Sequence, residues 1–317
     1  MEQTTAAFTM SRLTGRLPAP SLFGVSAVFH YLGPALAVLL FAHLDVLGVA
    51  WLRIAGAALV FALWRRPWRL VKRLTATQRL VLLALGTVLA MMNSVFYLAI
   101  ARLPLSTVGA VEFLGVIVLA AAGVRNRRNA LALGLAVAGV LTLTDIRLVA
   151  APLGFAFAFA NCALFVGYVV LGHRIANTAM PGAAGWSGID QLGAAMLVAA
   201  VVVTPLGIGR ASVAFTHPGW LLAGVGVGIC SSVIPYVTDQ LVMARLRRAT
   251  FALLLSILPA AATLIGAIVI AQFPTAQDLA GIALVIAAVA IHQPPDGGRG
   301  ADKKETKCGT PIWARQA

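Results

Sequence analysis

The chain has 317 residues, of which 60% are apolar and only 11% charged, and its formal net charge is +14. A soluble domain averages about 45–50% apolar, glycine included, and about 25% charged. A water-soluble globule of this size would lack the polar surface to cover itself, and so much apolar mass excludes intrinsic disorder, which leaves a polytopic membrane protein.

Residues 1–20 are polar and Thr-rich, carry Arg12 and Arg16, and read as a cytoplasmic N-terminal segment. The apolar run at 21–41 is too long for a signal-peptide core and is followed by further runs, so it reads as a retained span. Within it His30 and Tyr31 precede Gly33-Pro34. Pro34 removes a backbone donor, which predicts a kink or break there. Further spans are expected near 46–64, 80–100, 105–124, 129–146, 152–173, 183–206, 218–242, 249–271 and 276–292, each close to the 20 or so residues that one crossing needs. Lipid cannot satisfy the backbone of open strands, so these are helices. A barrel would alternate apolar and polar residues, and these runs are continuous. The tail at 293–317 opens Gln-Pro-Pro-Asp-Gly-Gly and turns Lys-rich. That composition predicts a disordered, basic cytoplasmic tail, its scattered lysines suited to weak attraction by anionic lipid headgroups.

The basic balance fits either a nucleic-acid partner or cytoplasmic loops, and placement separates the two. With the N-terminus inside, Arg102, Arg147 and Arg210 fall outside, Arg53 falls within a span, and the remaining 20 of the 24 basic residues fall inside. Both termini are therefore expected in the cytoplasm, with no basic surplus for nucleic acid. Cys162, Cys230 and Cys308 have neither zinc nor disulfide spacing and read as free thiols. There is no phosphate-binding Gly-x-x-x-x-Gly-Lys loop, no Gly-x-Ser-x-Gly elbow and no His-Glu-x-x-His pair. The expectation is a non-enzyme without ATP drive, cofactor or metal.

Ala101-Arg102-Leu103 recurs as Ala244-Arg245-Leu246, and Thr107 recurs as Thr250 at the same offset. The first copy lies outside and the second inside, as two halves of five spans each require, because five is odd. The expected architecture is all-α, with ten transmembrane helices as two inverted five-helix repeats, 21–148 and 149–292. Such repeats characterise secondary transporters, whose substrate site lies near the midplane between the halves.

The stretch Asn93-Ser-Val-Phe96-Tyr97-Leu-Ala-Ile-Ala-Arg102-Leu103-Pro104-Leu105, continuing through Val111-Glu112-Phe113-Leu-Gly115, resembles the third and fourth spans of EamA-type transporters. These belong to the drug/metabolite transporter superfamily, and the resemblance points most to its threonine/homoserine exporter branch. Ser232-Val-Ile-Pro235-Tyr236, Arg245-Leu246, Thr250-Phe251 and Ser256-Ile-Leu-Pro259-Ala260 repeat the likeness in the second half, as does Trp64-Arg-Arg-Pro67-Trp68-Arg69 after the second span. The branch usually has Pro near Val116, Glu in place of Leu258 and Gly-Glu where this chain has Ala271-Gln272. Two of its acidic positions are therefore neutral here. The resemblance implies alternating access about a site formed by spans one to four and six to nine, with the fifth and tenth peripheral.

Polar groups inside spans are costly and usually functional. Glu112, about a third of the way into the fourth span, is the leading candidate, either exchanging a proton during export or holding a substrate ammonium group. The plain alternative is a static ion pair with Arg53 that fastens two helices. Arg53 itself suits snorkelling to headgroups or clamping a substrate carboxylate. His30 is a candidate relay, and the breaks expected at Pro34, Pro235-Tyr236 and Pro259 would free carbonyls to line a cavity. Asn93 and Tyr97 are four apart and share a helix face; with Asn161, Ser231 and Ser232 they suit either the pathway or interhelical hydrogen bonds. Asp190 sits in the seventh span, roughly where the repeat places the counterpart of Arg53. Asp239 reads as a partner of Arg245 or Arg247 at the cytoplasmic rim.

These features predict a multi-pass bacterial inner-membrane transporter of small molecules. It would export amino acids or analogues of the threonine/homoserine kind, with protons as the coupling ion. The competing readings are an uncoupled metabolite or drug carrier, and a non-transport membrane protein such as an intramembrane enzyme or receptor subunit. The lipid bilayer is the expected surrounding partner, and a homodimer is compatible with the sequence.

Overall fold

A computed structural model describes residues 19–123, 126–144, 151–177, 188–243 and 258–291. The N-terminal segment, the basic tail, the repeated Ala244-Arg245-Leu246 and Cys308 lie outside the described residues, as do the side chains of Asp239 and Gln240.

Among the described residues the chain is helical. The order is α1 (Ala19–Leu40), α2 (Val46–Arg65), the short α3 (Trp68–Arg73), α4 (Ala76–Ile100), α5 (Leu105–Gly123), α6 (Arg127–Thr144), α7 (Pro152–Asn177) and α8 (Gly188–Gly207). There follow α9 (Ser212–Thr216), α10 (Pro218–Gly228), a π-helical turn (Ile229–Val233), α11 (Ile234–Met243), α12 (Leu258–Ile270) and α13 (Ala276–Ile291). Five of these segments are long and apolar enough to cross a membrane: α1, α2, α4, α8 and the α10–π–α11 run. Shorter apolar stretches lie in α5, α7, α12 and α13.

Local chemistry sets the ends of these helices. Asp45 caps α2 by accepting the Leu47 N–H at 2.9 Å, and Arg66 closes it in the left-handed region at φ 50°. Thr75 and Gln78 form a reciprocal capping box at the start of α4. Thr275 and Asp278 do the same before α13, with Asp in the role usually taken by Glu. Pro218 opens α10 at a position where its missing N–H costs nothing.

Leu63, Val201, Leu222, Ile268 and Phe273 are among many large apolar side chains left exposed. In water such a surface would drive association. The interior packs α2 on α8, α6 on α13, α4 on α7 and α8, α5 on α7 and α12, and α1 on α11 and α12. α1 runs unbroken through Pro34. Among the described residues, the eighth predicted span departs from regular α-helix over Ile229–Val233, just before Pro235.

Candidate functional site

The π turn is the centre of the site, and Pro235 accounts for its chemistry. A proline at position 235 has no N–H to give to the carbonyl four residues earlier, which is that of Ser231. Arg53 of α2 supplies the missing donor: its Nη2 donates to the Ser231 carbonyl at 3.3 Å and its Nε donates to Ser232 Oγ at 3.1 Å. Its guanidinium also lies 5.2 Å from the centre of the Tyr97 ring, within the range of a cation–π contact. Arg53 is only 5% exposed, so it is a buried cation held by three neighbours and does not snorkel to a surface.

Two glycines permit this approach. A side chain at Gly33 of α1 would overlap Ser231, and one at Gly228 would overlap the Arg53 carbonyl. Helices α1, α2 and α10 therefore meet at backbone contact around the turn.

Next to Arg53 lies a cavity of about 50 Å³, room for a few waters. Its polar wall carries Glu112 from α5, His30 from α1, Asn93 from α4, Asn161 from α7 and Tyr236 from α11. Met92, Phe96, Phe165 and Tyr168 form much of the rest. The lining comes from helices on both sides of residue 148. Asn93 turns its amide back to donate to the Leu89 carbonyl at 2.7 Å.

The structure thus brings Glu112, Arg53, Asn93, His30 and Tyr236 to one cavity, with Tyr97 alongside through its stacking on Arg53. Glu112 and Arg53 do not come within ion-pair distance of each other. Asp190 and Pro259 lie elsewhere. Asp190, in the first turn of α8, takes a two-point contact from Arg65, with Nε at 2.7 Å and Nη2 at 2.9 Å. Pro259 is buried in the first turn of α12, where its carbonyl accepts from Thr263.

Sequence reading gave Asn161 no more weight than other neutral polar groups. In the structure it is fully buried, and neither its Nδ2 nor its Oδ1 has a hydrogen-bond partner among the described residues. The Tyr97 hydroxyl is in the same condition. Five of the described helices, α6 to α10, intervene between Glu112 and Tyr236 along the chain, and no local pattern reveals such a convergence.

The chain is 31% identical to the threonine/homoserine exporter RhtA of Salmonella typhimurium (strain LT2) over 259 residues, covering 81% of this chain and 84% of that protein. It is 32% identical to threonine/homoserine exporter RhtA of Escherichia coli (strain K12) over 266 residues, with the same coverage. The chain belongs to the threonine/homoserine exporter family of drug/metabolite transporters. No protein-family model matches it. Family members are exporters, so the chain is a membrane transport protein and not an enzyme. With its membrane-length apolar helices it is a multi-pass protein of the inner membrane.

Proposed function

We propose that this protein exports small amino acids of the threonine/homoserine kind by alternating access, with Glu112 exchanging a proton for the substrate. The observation that carries the reading is the convergence of Glu112, Arg53, His30, Asn93 and Tyr236 on one cavity, in a chain whose relatives are named as exporters of these compounds. A carboxyl group is a natural partner for an ammonium group or a proton. Arg53, already held by Ser231 and Ser232, sets the positive end of the site. The cavity of about 50 Å³ is smaller than an amino acid, so passage of one needs the surrounding helices to part.

The inverted ten-span architecture is part of the same proposal. What supports it is the pattern of helix pairing. Exchanging α1 with α7, α2 with α8, α4 with α10–α11, α5 with α12 and α6 with α13 leaves the main pairings unchanged. The packing of α4 on α7 becomes that of α11 on α1, and α5 on α7 becomes α12 on α1. The α2–α8, α5–α12 and α6–α13 pairs map onto themselves.

The test is efflux from cells that overproduce the protein, challenged with toxic amino acid analogues and then assayed for threonine and homoserine release. Wild type raises resistance and export. Glu112→Gln abolishes both while its level in the membrane stays at that of wild type. Undiminished export by that variant removes Glu112 from the mechanism, and no export by wild type across the panel removes the function.

A further inference from the structure

The unpartnered amide of Asn161 points to one part of the substrate. Asn93 answers its own donor through the Leu89 carbonyl one turn back, the usual recourse of a polar side chain inside a helix. Asn161 does not. Its side chain is fully buried on α7 and faces the cavity with Glu112 as its polar neighbour, and neither its donor nor its acceptor completes a hydrogen bond among the described residues. A buried group in that state costs free energy. Such a group persists when a ligand answers it.

Threonine and homoserine, the compounds in the relatives' names, differ in carbon skeleton and share a side-chain hydroxyl. We infer that Asn161 reads this hydroxyl: its Nδ2–H donates to the hydroxyl oxygen, and its Oδ1 accepts from the hydroxyl or from the neighbouring ammonium group. Phe165, one turn along the same helix, and Phe96 supply apolar contact for the carbon chain. A hydroxyl can answer an amide and a methyl group cannot, so Asn161 is a specificity-determining residue that favours hydroxylated amino acids over isosteric aliphatic ones. Sites that hydrogen-bond a substrate hydroxyl discriminate far more sharply than apolar pockets that merely accommodate its shape. The inference rests on the export function proposed above.

The test uses the full-length protein in proteoliposomes, measuring uptake of labelled threonine, homoserine and valine in counterflow. Valine has the shape of threonine with a methyl group in place of the hydroxyl. Wild type is expected to prefer threonine and homoserine over valine. Asn161→Leu, which keeps the branched shape without polar atoms, is expected to lower the threonine-to-valine ratio by at least about tenfold, the worth of one unanswered buried group. Its thermal stability should equal or exceed that of wild type, because an unpaired polar group has been removed. An unchanged ratio in a folded Asn161→Leu protein overturns the inference and leaves the export function standing. So does an equal loss of both substrates with a fall in thermal stability, which marks Asn161 as a packing residue. Should Asn161→Leu fail to accumulate, Asn161→Ala is put to the same ratio, and an unchanged ratio there is equally decisive. If wild type moves none of the three amino acids, the export function falls and the inference falls with it.

Discussion

Arg53 shows how much a single buried cation depends on its surroundings. Its two hydrogen bonds go to a carbonyl that Pro235 leaves free and to the adjacent Ser232 hydroxyl. A lysine keeps the charge but is a point donor without the fork, so it cannot reach both acceptors from the same position. Hydrogen bonds to charged groups are worth about 1.5–3 kcal/mol each. Arg53→Lys is therefore expected to destabilise the protein by about 2 kcal/mol and to cut export strongly. Ser232→Ala, which removes one acceptor, is expected to do less of both. Thermal unfolding in detergent, together with the efflux assay, measures the two effects. Glu112 stands differently: with Arg53 committed elsewhere and no ion pair between them, its carboxyl group is available to the cavity.

At the scale of elements, the α2–α8 pair is fastened at both ends. Asp190 and Arg65 meet at one end in a two-point contact whose side chains are 5% and 29% exposed. Asp45 and Arg210 meet at the other, 3.4 Å apart and 44% and 54% exposed. Between them the Trp51 indole N–H donates to Thr204 Oγ1 at 2.9 Å. A shielded, bidentate pair is worth more than an exposed single contact. Double-mutant cycles on Arg65/Asp190 are expected to give a coupling of about 1–3 kcal/mol, and on Asp45/Arg210 less than about 1 kcal/mol, with salt weakening mainly the second. Equal couplings would mean that burial does not set the difference. Asp190 is thus tied to the helix pair, which the sequence could not show, because Arg65 lies 125 positions away. Gln272 makes a comparable link: from the turn before α13 its Oε1 accepts the Leu105 N–H at 3.0 Å, tying that turn to the start of the helix that bears Glu112. The branch usually has an acidic residue here, and the neutral amide provides the same acceptor.

For the whole molecule, the charge placement of the sequence makes a direct claim about orientation. The ten-span reading puts 20 of 24 basic residues on one side, and on that reading reporters fused after Arg128 and at the C-terminus are expected to behave as cytoplasmic, fluorescent with green fluorescent protein and inactive with alkaline phosphatase. A phosphatase fusion after Arg210 should be active. The opposite pattern would reverse the topology and leave the halves inverted, whereas Arg128 and the C-terminus on opposite sides would break the inverted-repeat proposal, because two five-span halves need an even number of crossings between those two points.

The sequence by itself determined that this is a helical membrane protein, roughly where its apolar helices run, and which family it resembles. Those properties reside in composition, run length and short motifs, all local along the chain. It also picked out Glu112, Arg53, His30, Asn93 and Tyr236, because a polar residue within an apolar run is conspicuous wherever it points. Partnership was decided only by the tertiary structure. Arg53 goes to a π turn that Pro235 makes receptive, Asp190 goes to Arg65, and Asn161 is left unanswered beside the cavity. Each outcome depends on which helices lie side by side, and hydrophobic periodicity says which face of a helix is apolar without saying which neighbour will cover it.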